Sequence, residues 1–331
     1  MINSELNSEQ IQIMLKWNSQ VKLILADVDE TITDVYTDAV PEMIVELEKL
    51  LREGKVLFLA SGGGLESILD RVVLKINKSL RKQIIIAHCA GAEVYGLDDS
   101  GNLKKLYFSL YDQVMTAGQK TNWRKLTTAL IERMQLKIFP AMAVKKFKTI
   151  SHEDPLAIIL SDRGPQITLE FINAYNLQLA DLQKIPYEIP YVAGKYDLRH
   201  KALEIIQELL VIYSVPIDVK FGGEFALDMR LKGVSKEVAI RKVLADSKIL
   251  KNLGLTTTDV NNPEMLEIWG DKFSLPHGSD FDMSLAVHSQ VRSIDFRIED
   301  PLTFEKGYNI QLWDGQKHLH EGLLEYLQSR K

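Results

Sequence analysis

Several short apolar runs along this chain end in small, polar or acidic residues, and helical patterns lie between them. The runs are "KLILADVD" (22–29), "KVLFLASGGG" (55–64), "QIIIAHCAGAEVY" (83–95) and "MLEIWGDKF" (265–273). Leu23 to Ala26 in particular have the unbroken apolar character of a strand buried on both faces. Between the first two runs, "PEMIVELEKLLREG" spaces its apolar residues helically, with a proline at its start and Gly54 at its end. After the second, "LESILDRVVLKI" is again helical. Strands alternating with helices predict a parallel sheet covered on both faces. Such sheets gather ligands at the carboxyl ends of their strands, where this chain places Asp27, Asp29, Ser61 and Asp271.

The middle of the chain has another rhythm. "KTNWRKLTTALIERMQ" (120–135) and "DLRHKALEIIQELLVIY" (197–213) predict helices, while 156–172 and 218–231 predict hairpins turning at Arg163-Gly164 and Gly222-Gly223. Helices and hairpins together predict a separate α+β layer at 116–226, inserted between two parts of an α/β core at 1–115 and 227–331. Residues 1–20 read as a short amphipathic extension, with Ile11, Met14, Leu15 and Trp17 packing onto the body.

Composition narrows the partners. The 331 residues carry 40 Lys plus Arg against 45 Asp plus Glu, a net charge of −5. That balance gives no reason to expect nucleic acid or an anionic membrane. No apolar run reaches the roughly 18 residues of a bilayer span, and the N-terminus lacks the apolar centre of a signal peptide. The single cysteine, Cys89, cannot form an internal disulfide, so a reducing cytoplasm is the expected location and a small core residue its expected role. The seven histidines show no ligand spacing. Lys145, Lys146 and Lys148 read as a solvated face, with a surface that greets phosphate esters as the alternative.

The chemistry is carried by four stretches. The first is Asp27-x-Asp29-x-Thr31 where the first strand ends. Continued strand alternation would put both carboxylates on one side, where they repel unless a cation lies between them. The second is Ser61 with Gly62 and Gly63: the hydroxyl can donate to a phosphoryl oxygen, and bare backbone allows an anion to approach. A plain strand–helix turn is the alternative there. In the third, Ser235 is a candidate N-cap that puts Lys236 in a first helical turn, where a cation opposes the helix dipole unless an anion is close. The fourth supplies Asp271 and Asp280, which with Asp27 and Asp29 make an oxygen-only site suited to Mg²⁺. The spacing and terminal Glu of a calcium loop are absent.

These four motifs in this order resemble the haloacid dehalogenase superfamily of phosphotransferases. "CAGAEVY", "SDRGPQITLEF", "FGGEFALDMRLKGVSKEVAI" and "GDKFSLPHGSDFD" are similar to landmarks of its phosphomannomutase-like branch, over roughly residues 21–290. The resemblance implies a Rossmann-like parallel-sheet core with an inserted α+β cap of type IIB. It implies Asp27 as nucleophile, Asp29 as general acid/base, Ser61 as phosphoryl binder and Lys236 as bridge to the nucleophile. Asp271, Asp27 and the backbone carbonyl of Asp29 would hold Mg²⁺, completed or supported by Asp280. Thr31, Gly62 and Gly63 would line the phosphate site. Arg163 and Asp228 of the cap would contact the substrate, Asp228 through sugar hydroxyls. The expected function is a Mg²⁺-dependent phosphatase acting on a small phosphorylated metabolite, most naturally a sugar phosphate. A sugar-phosphate mutase and a catalytically silent binding protein are the alternatives, and a homodimer through the cap is a further expectation. Departures from the pattern are Glu30 where glycine is frequent, Ser279 where asparagine is usual, and "EFINAYN", which lacks a further arginine used by mutases.

Overall fold

The computed structural model describes residues 15–35, 37–274, 278–297 and 303–330. Ile11 and Met14 of the expected N-terminal helix lie outside these residues. Leu15 and Trp17 do pack against the core, although residues 15–20 form no helix.

Two sheets organise the chain. The first contains β1 (Leu23–Ala26), β2 (Val56–Ala60), β3 (Ile84–His88), β4 (Glu93–Leu97) and β5 (Leu103–Ser109). The second contains β6 (Lys137–Phe139), β7 (Ala157–Asp162) and β8 (Gln166–Glu170) from the middle of the chain. A small pair, β9 (Tyr191–Val192) and β10 (Lys195–Tyr196), comes next, and then β11 (Ile217–Gly222) and β12 (Ala226–Leu231) complete the second sheet. The chain then returns to the first sheet with β13 (Leu266–Gly270), β14 (Arg292–Asp295) and β15 (Ile310–Leu312).

The first sheet has the order β15-β14-β13-β1-β2-β3-β4-β5. Its pairs are parallel from β15 through β3 and antiparallel beyond. Every residue of β1, β2, β3 and β13 is buried, as mostly apolar strands require when both faces are covered, Glu267 in β13 being paired with Arg292. One apolar cluster, including Met43, Leu47, Leu323 and Tyr326, packs one face, and Ala239, Ile240, Val243 and Leu250 help to pack the other. The helix Pro41–Arg52 ends as its sequence predicts, with Gly54 at φ 81°. From β1 the chain winds through β2 to β3 on one side and, much later, through β13 to β15 on the other. The reversal falls between β1 and β13, the position at which sheets of this kind bind ligands beyond the carboxyl ends of their strands.

One expected strand divides. The run 83–95 reverses at Cys89–Gly91, where Cys89, Ala90 and Gly91 have φ 50°, 57° and 91°, so β3 and β4 form an antiparallel pair. Gly91 also permits close packing: a Cβ there would lie 2.7 Å from the Ser235 carbonyl and the Ala239 side chain. The second sheet, ordered β11-β12-β8-β7-β6, has its own core against the helices Ala117–Met134 and Leu198–Tyr213. Strand β12 pairs with β8 and β11 along its length, so the chain returns to the first sheet after Leu231, where the sequence places the return at 227.

Candidate active site

Asp27 continues the line of β1, its N–H donating to the Trp269 carbonyl at 3.0 Å. The strand geometry then stops. Ile32 and Thr33 donate their N–H groups to the Val28 carbonyl at 3.0 and 3.1 Å, and Glu30 turns left-handed at φ 61°. Val28 and Ile32 are fully buried and anchor this turn. The expected alternation is therefore corrected: the turn carries the Asp29 carboxylate away from Asp27 and toward the loop after β2. There Asp29 accepts from Ser61 Oγ at 3.1 Å and from Arg71 at 2.7 Å. The loop itself is pinned by the Cys89–Gly91 turn, whose Cys89 and Ala90 N–H groups donate to the carbonyls of Gly63 and Ser61. Gly63 N–H donates to Ser61 Oγ at 2.8 Å, and the Cα of Gly62 faces open space.

Lys236 begins the helix Lys236–Leu244, with Ser235 as N-cap accepting from Val238 N–H at 3.2 Å. Its ammonium is buried and donates to Asp27 at 2.6 Å and to Asp280 at 2.7 Å. The conflict with the helix dipole is thus resolved by two carboxylates. Asp280 is fully buried, and its other oxygen accepts from the N–H groups of Asp271 and Lys272, both at 2.9 Å. Gly270 makes this approach feasible, since a Cβ there would lie 2.5 Å from Asp280 Oδ2. Thr31 is fully buried and its hydroxyl lies 3.5 Å from Asp271. It therefore supports that carboxylate, where the resemblance placed it against substrate.

Oxygens of Asp27, Asp271 and Asp280 all lie within 4.8 Å of one another. Burial raises the Asp27 pKa well above the carboxylate range; Lys236 opposes this, and Asp280, Asp271 and Asp29 add to it. Burial, with Asp280 beside it, lifts Asp271 to about 7. Asp280 is buried too, but Lys236 and its hydrogen bonds bring it below the ordinary value. Lys236 is itself raised: burial acts against its charge, and Asp27 and Asp280 outweigh burial. Three carboxylates face the buried Lys236 and the half-exposed Lys272 beside Asp271, and the burial and mutual repulsion that raise Asp27 and Asp271 are what a divalent cation with a preference for oxygen would relieve. The Asp29 side chain is outside this cluster, so only its backbone carbonyl remains for the metal role.

The second sheet supplies the other wall. Arg163, in the β7–β8 turn, packs over Gly64, where a Cβ would lie 3.0 Å from its Cδ. Asp228 accepts from Thr168 Oγ1 at 2.6 Å and Gln166 Nε2 at 3.2 Å, and Arg163 donates to Thr168 at 3.3 Å. Sequence reasoning missed Gln166 and Thr168, whose only signal was their alternation with apolar Ile167 and Leu169. It also missed Lys272, which bridges Asp271 at 3.1 Å and Glu30 at 3.3 Å, and Arg71. A basic residue in the last turn of a helix is ordinary, so nothing in the sequence singled out Arg71.

With its doubly wound sheet, acids at the switch point and inserted second sheet, the chain has the fold of haloacid dehalogenase-like hydrolases. A haloacid dehalogenase-like hydrolase from Bacteroides thetaiotaomicron superposes with a TM-score of 0.53 at 13% identity, covering 92% of this chain and 99% of that one. The chain is also similar to a trehalose-6-phosphate phosphatase related protein (TM-score 0.48, 13% identity, 92% and 95% covered). A third similar structure is the IMP-nucleotidase of Plasmodium falciparum (TM-score 0.46, 13% identity, 93% and 68% covered). No protein-family model and no curated protein matches the chain. No helix among the described residues is long and apolar enough to cross a membrane.

Proposed function

We propose that this chain is a Mg²⁺-dependent phosphatase that hydrolyses a small phosphorylated metabolite, a sugar phosphate by preference, through an aspartyl phosphate. The observation that carries the reading is the buried Asp27–Lys236–Asp280–Asp271 cluster with Ser61 and Asp29 opposite it. Asp27 attacks phosphorus and the bond to the leaving oxygen breaks, while Asp29 gives that oxygen a proton. Water then attacks the aspartyl phosphate, its proton passes to Asp29, and the phosphorus–Asp27 bond breaks to release inorganic phosphate. Lys236 offsets charge on the transferring group, and Ser61 orients it. Mg²⁺, held by Asp27, Asp271 and the Asp29 carbonyl with Asp280 in support, would supply further charge neutralisation. The inserted unit serves as the type IIB cap, excluding bulk water and selecting substrate with Arg163 and Asp228.

The test is phosphate release from a panel of sugar and nucleotide monophosphates with Mg²⁺. Asp27→Asn keeps the shape but cannot attack, and activity should fall by at least about 10³-fold with the fold retained. Near-wild-type activity in that variant would remove Asp27 from the nucleophile role. Asp271→Ala should raise the Mg²⁺ needed for half-activity far more than Ser61→Ala does, and equal shifts would mean the site is wrongly drawn.

A further inference from the structure

The two oxygens of Asp29 are held by different elements. Ser61 Oγ donates to Oδ2 at 3.1 Å, and Arg71, at the end of the helix Leu65–Arg71, donates from Nη1 to Oδ1 at 2.7 Å. The Arg71 side chain, only 12% exposed, is itself fixed. Its Nε donates to the Thr37 carbonyl at 2.7 Å, its Nη2 to the Asp34 carbonyl at 2.7 Å, and its Nη1 to Ser67 Oγ at 3.3 Å. Its own carbonyl accepts from Ala39 N–H at 3.0 Å. A guanidinium tied to three acceptors besides Asp29 does not follow it; the carboxylate takes its place from the guanidinium.

The two grips differ in permanence. In the proposed reaction the Ser61 hydroxyl is needed by the phosphoryl group, whereas no other partner in the site competes for Arg71. We infer that Arg71 is a positioning residue for the general acid/base, holding Asp29 by Oδ1 and presenting Oδ2 to the leaving oxygen. The inference rests on the function proposed above. When the phosphoryl group takes the Ser61 hydroxyl, Oδ2 is the oxygen set free, already aimed at the site. Without the clamp, Asp29 can rotate about both side-chain torsions, and misplacement by about 1 Å is enough to cost about 10²-fold in rate.

A tie that merely secures the 34–39 segment would show the same distances, so the test reads the leaving group. Wild type, Arg71→Ala and Arg71→Lys are assayed as the full chain with Mg²⁺ on phenyl phosphates ranging from p-nitrophenyl to unsubstituted phenyl. The ratio kcat/KM covers steps up to departure of the phenol, so it reports protonation of the leaving oxygen and not later hydrolysis. Arg71→Ala should lose about 100-fold on phenyl phosphate but under about 5-fold on p-nitrophenyl phosphate, which leaves without a proton. Arg71→Lys, which keeps the charge and loses the fork, should fall between, and it carries the comparison should the alanine variant unfold. In an Asp29→Asn background, removing Arg71 should cost less than about a further 3-fold, because its effect passes through Asp29. Equal losses across the phenyl series, or an undiminished loss in that background, would reduce Arg71 to a structural tie. No Mg²⁺-dependent phosphate release by the wild type from any phosphate ester would instead overturn the phosphatase reading, a separate outcome read before any Arg71 variant is compared.

Discussion

Glu30 shows how a single residue can fit a motif and still strain it. At φ 61° it occupies a left-handed position that glycine adopts without the Cβ clash. Its carboxylate gains only a half-exposed contact with Lys272, and such a pair contributes about 0–1 kcal/mol. Glu30→Gly is therefore expected to stabilise the protein by about 0.5–1 kcal/mol in urea unfolding, with Mg²⁺-dependent turnover retained. A loss of stability would show that the Lys272 bridge outweighs the backbone term. Cys89 makes a second case at this scale. Burial pushes its thiol up to about 12; Arg163 opposes the shift and Glu93 adds to it. At pH 8 about one thiol in 10⁴ is then ionised, and it lies out of reach. Iodoacetamide should leave the native protein unlabelled over hours and label the denatured chain fully. Rapid native labelling would place the β3–β4 turn in an open state.

At the scale of elements, legibility followed periodicity. Strands β1, β2 and β13 and the helix Pro41–Arg52 were readable because buried apolar runs and helical spacing are local properties. The reversal at Cys89–Gly91 was not, because three consecutive left-handed residues sit inside an apolar run with only one glycine to mark them. The motifs were likewise legible as residue types, Asp27, Ser61, Lys236 and Asp271 each standing at an element's end. The Glu30 turn that separates Asp29 from Asp27 depends on tertiary anchoring by Val28 and Ile32, which no spacing rule conveys. Asp197 illustrates another element-scale device. It caps the helix Leu198–Tyr213, accepting from Arg199 N–H at 3.0 Å while pairing with the Arg199 guanidinium at 2.6 Å, both side chains buried. Burial works against the Asp197 charge, but the bonds to Arg199 outweigh it and hold the pKa below the ordinary 3.8. A depressed folded-state pKa contributes stability above about pH 4 and loses it as pH falls further. Asp197→Asn should cost about 3–5 kcal/mol at pH 7, because it leaves the Arg199 charge buried without its partner. The cost should shrink as pH falls below about 4, since the wild type is then losing the same interaction. A constant difference across pH in urea unfolding would mean that the charge of Asp197 does not carry the cost.

At the scale of the whole molecule, the second sheet stands over the switch point, and in the proposed reaction it would govern which acceptor meets the phosphoryl group carried by Asp27. Arg163 against Gly64 shows which end of that sheet faces the core. Strand register then ranks its polar residues by distance from the core: Arg163, Gln166 and Arg230 nearest, Thr168 and Asp228 next, Glu170 behind them. In the proposed reaction the near row would meet the phosphate of the substrate; behind it stand Asp228, with the exposed Lys220 opposite it, and Glu170. Glu170 is pushed up by burial, a shift Arg163 opposes and Asp228 reinforces. Of the other charged groups, Lys220 lies across from Asp228 on the exposed edge strand, Arg124 is engaged by Asp162 and the Gly164 carbonyl, and Arg199 by Asp197. Acids and amides that accept and donate hydrogen bonds suit neutral hydroxyls. A mutase must instead seat a second phosphate here, so that the sugar bisphosphate can return the phosphoryl group to a new oxygen. Like charges brought together cost several kcal/mol, and a penalty of only about 1.4 kcal/mol already gives a tenfold preference. Water should therefore reach the aspartyl phosphate first. The expected outcome is inorganic phosphate from hexose monophosphates, exceeding conversion of mannose 1-phosphate to its 6-phosphate isomer by at least about tenfold. The assay supplies a hexose bisphosphate activator with Mg²⁺ and tracks both products from one reaction. Isomer formation that outruns phosphate release would mean the acids behind Arg163 do accommodate a second phosphate, and the mutase would be the better description.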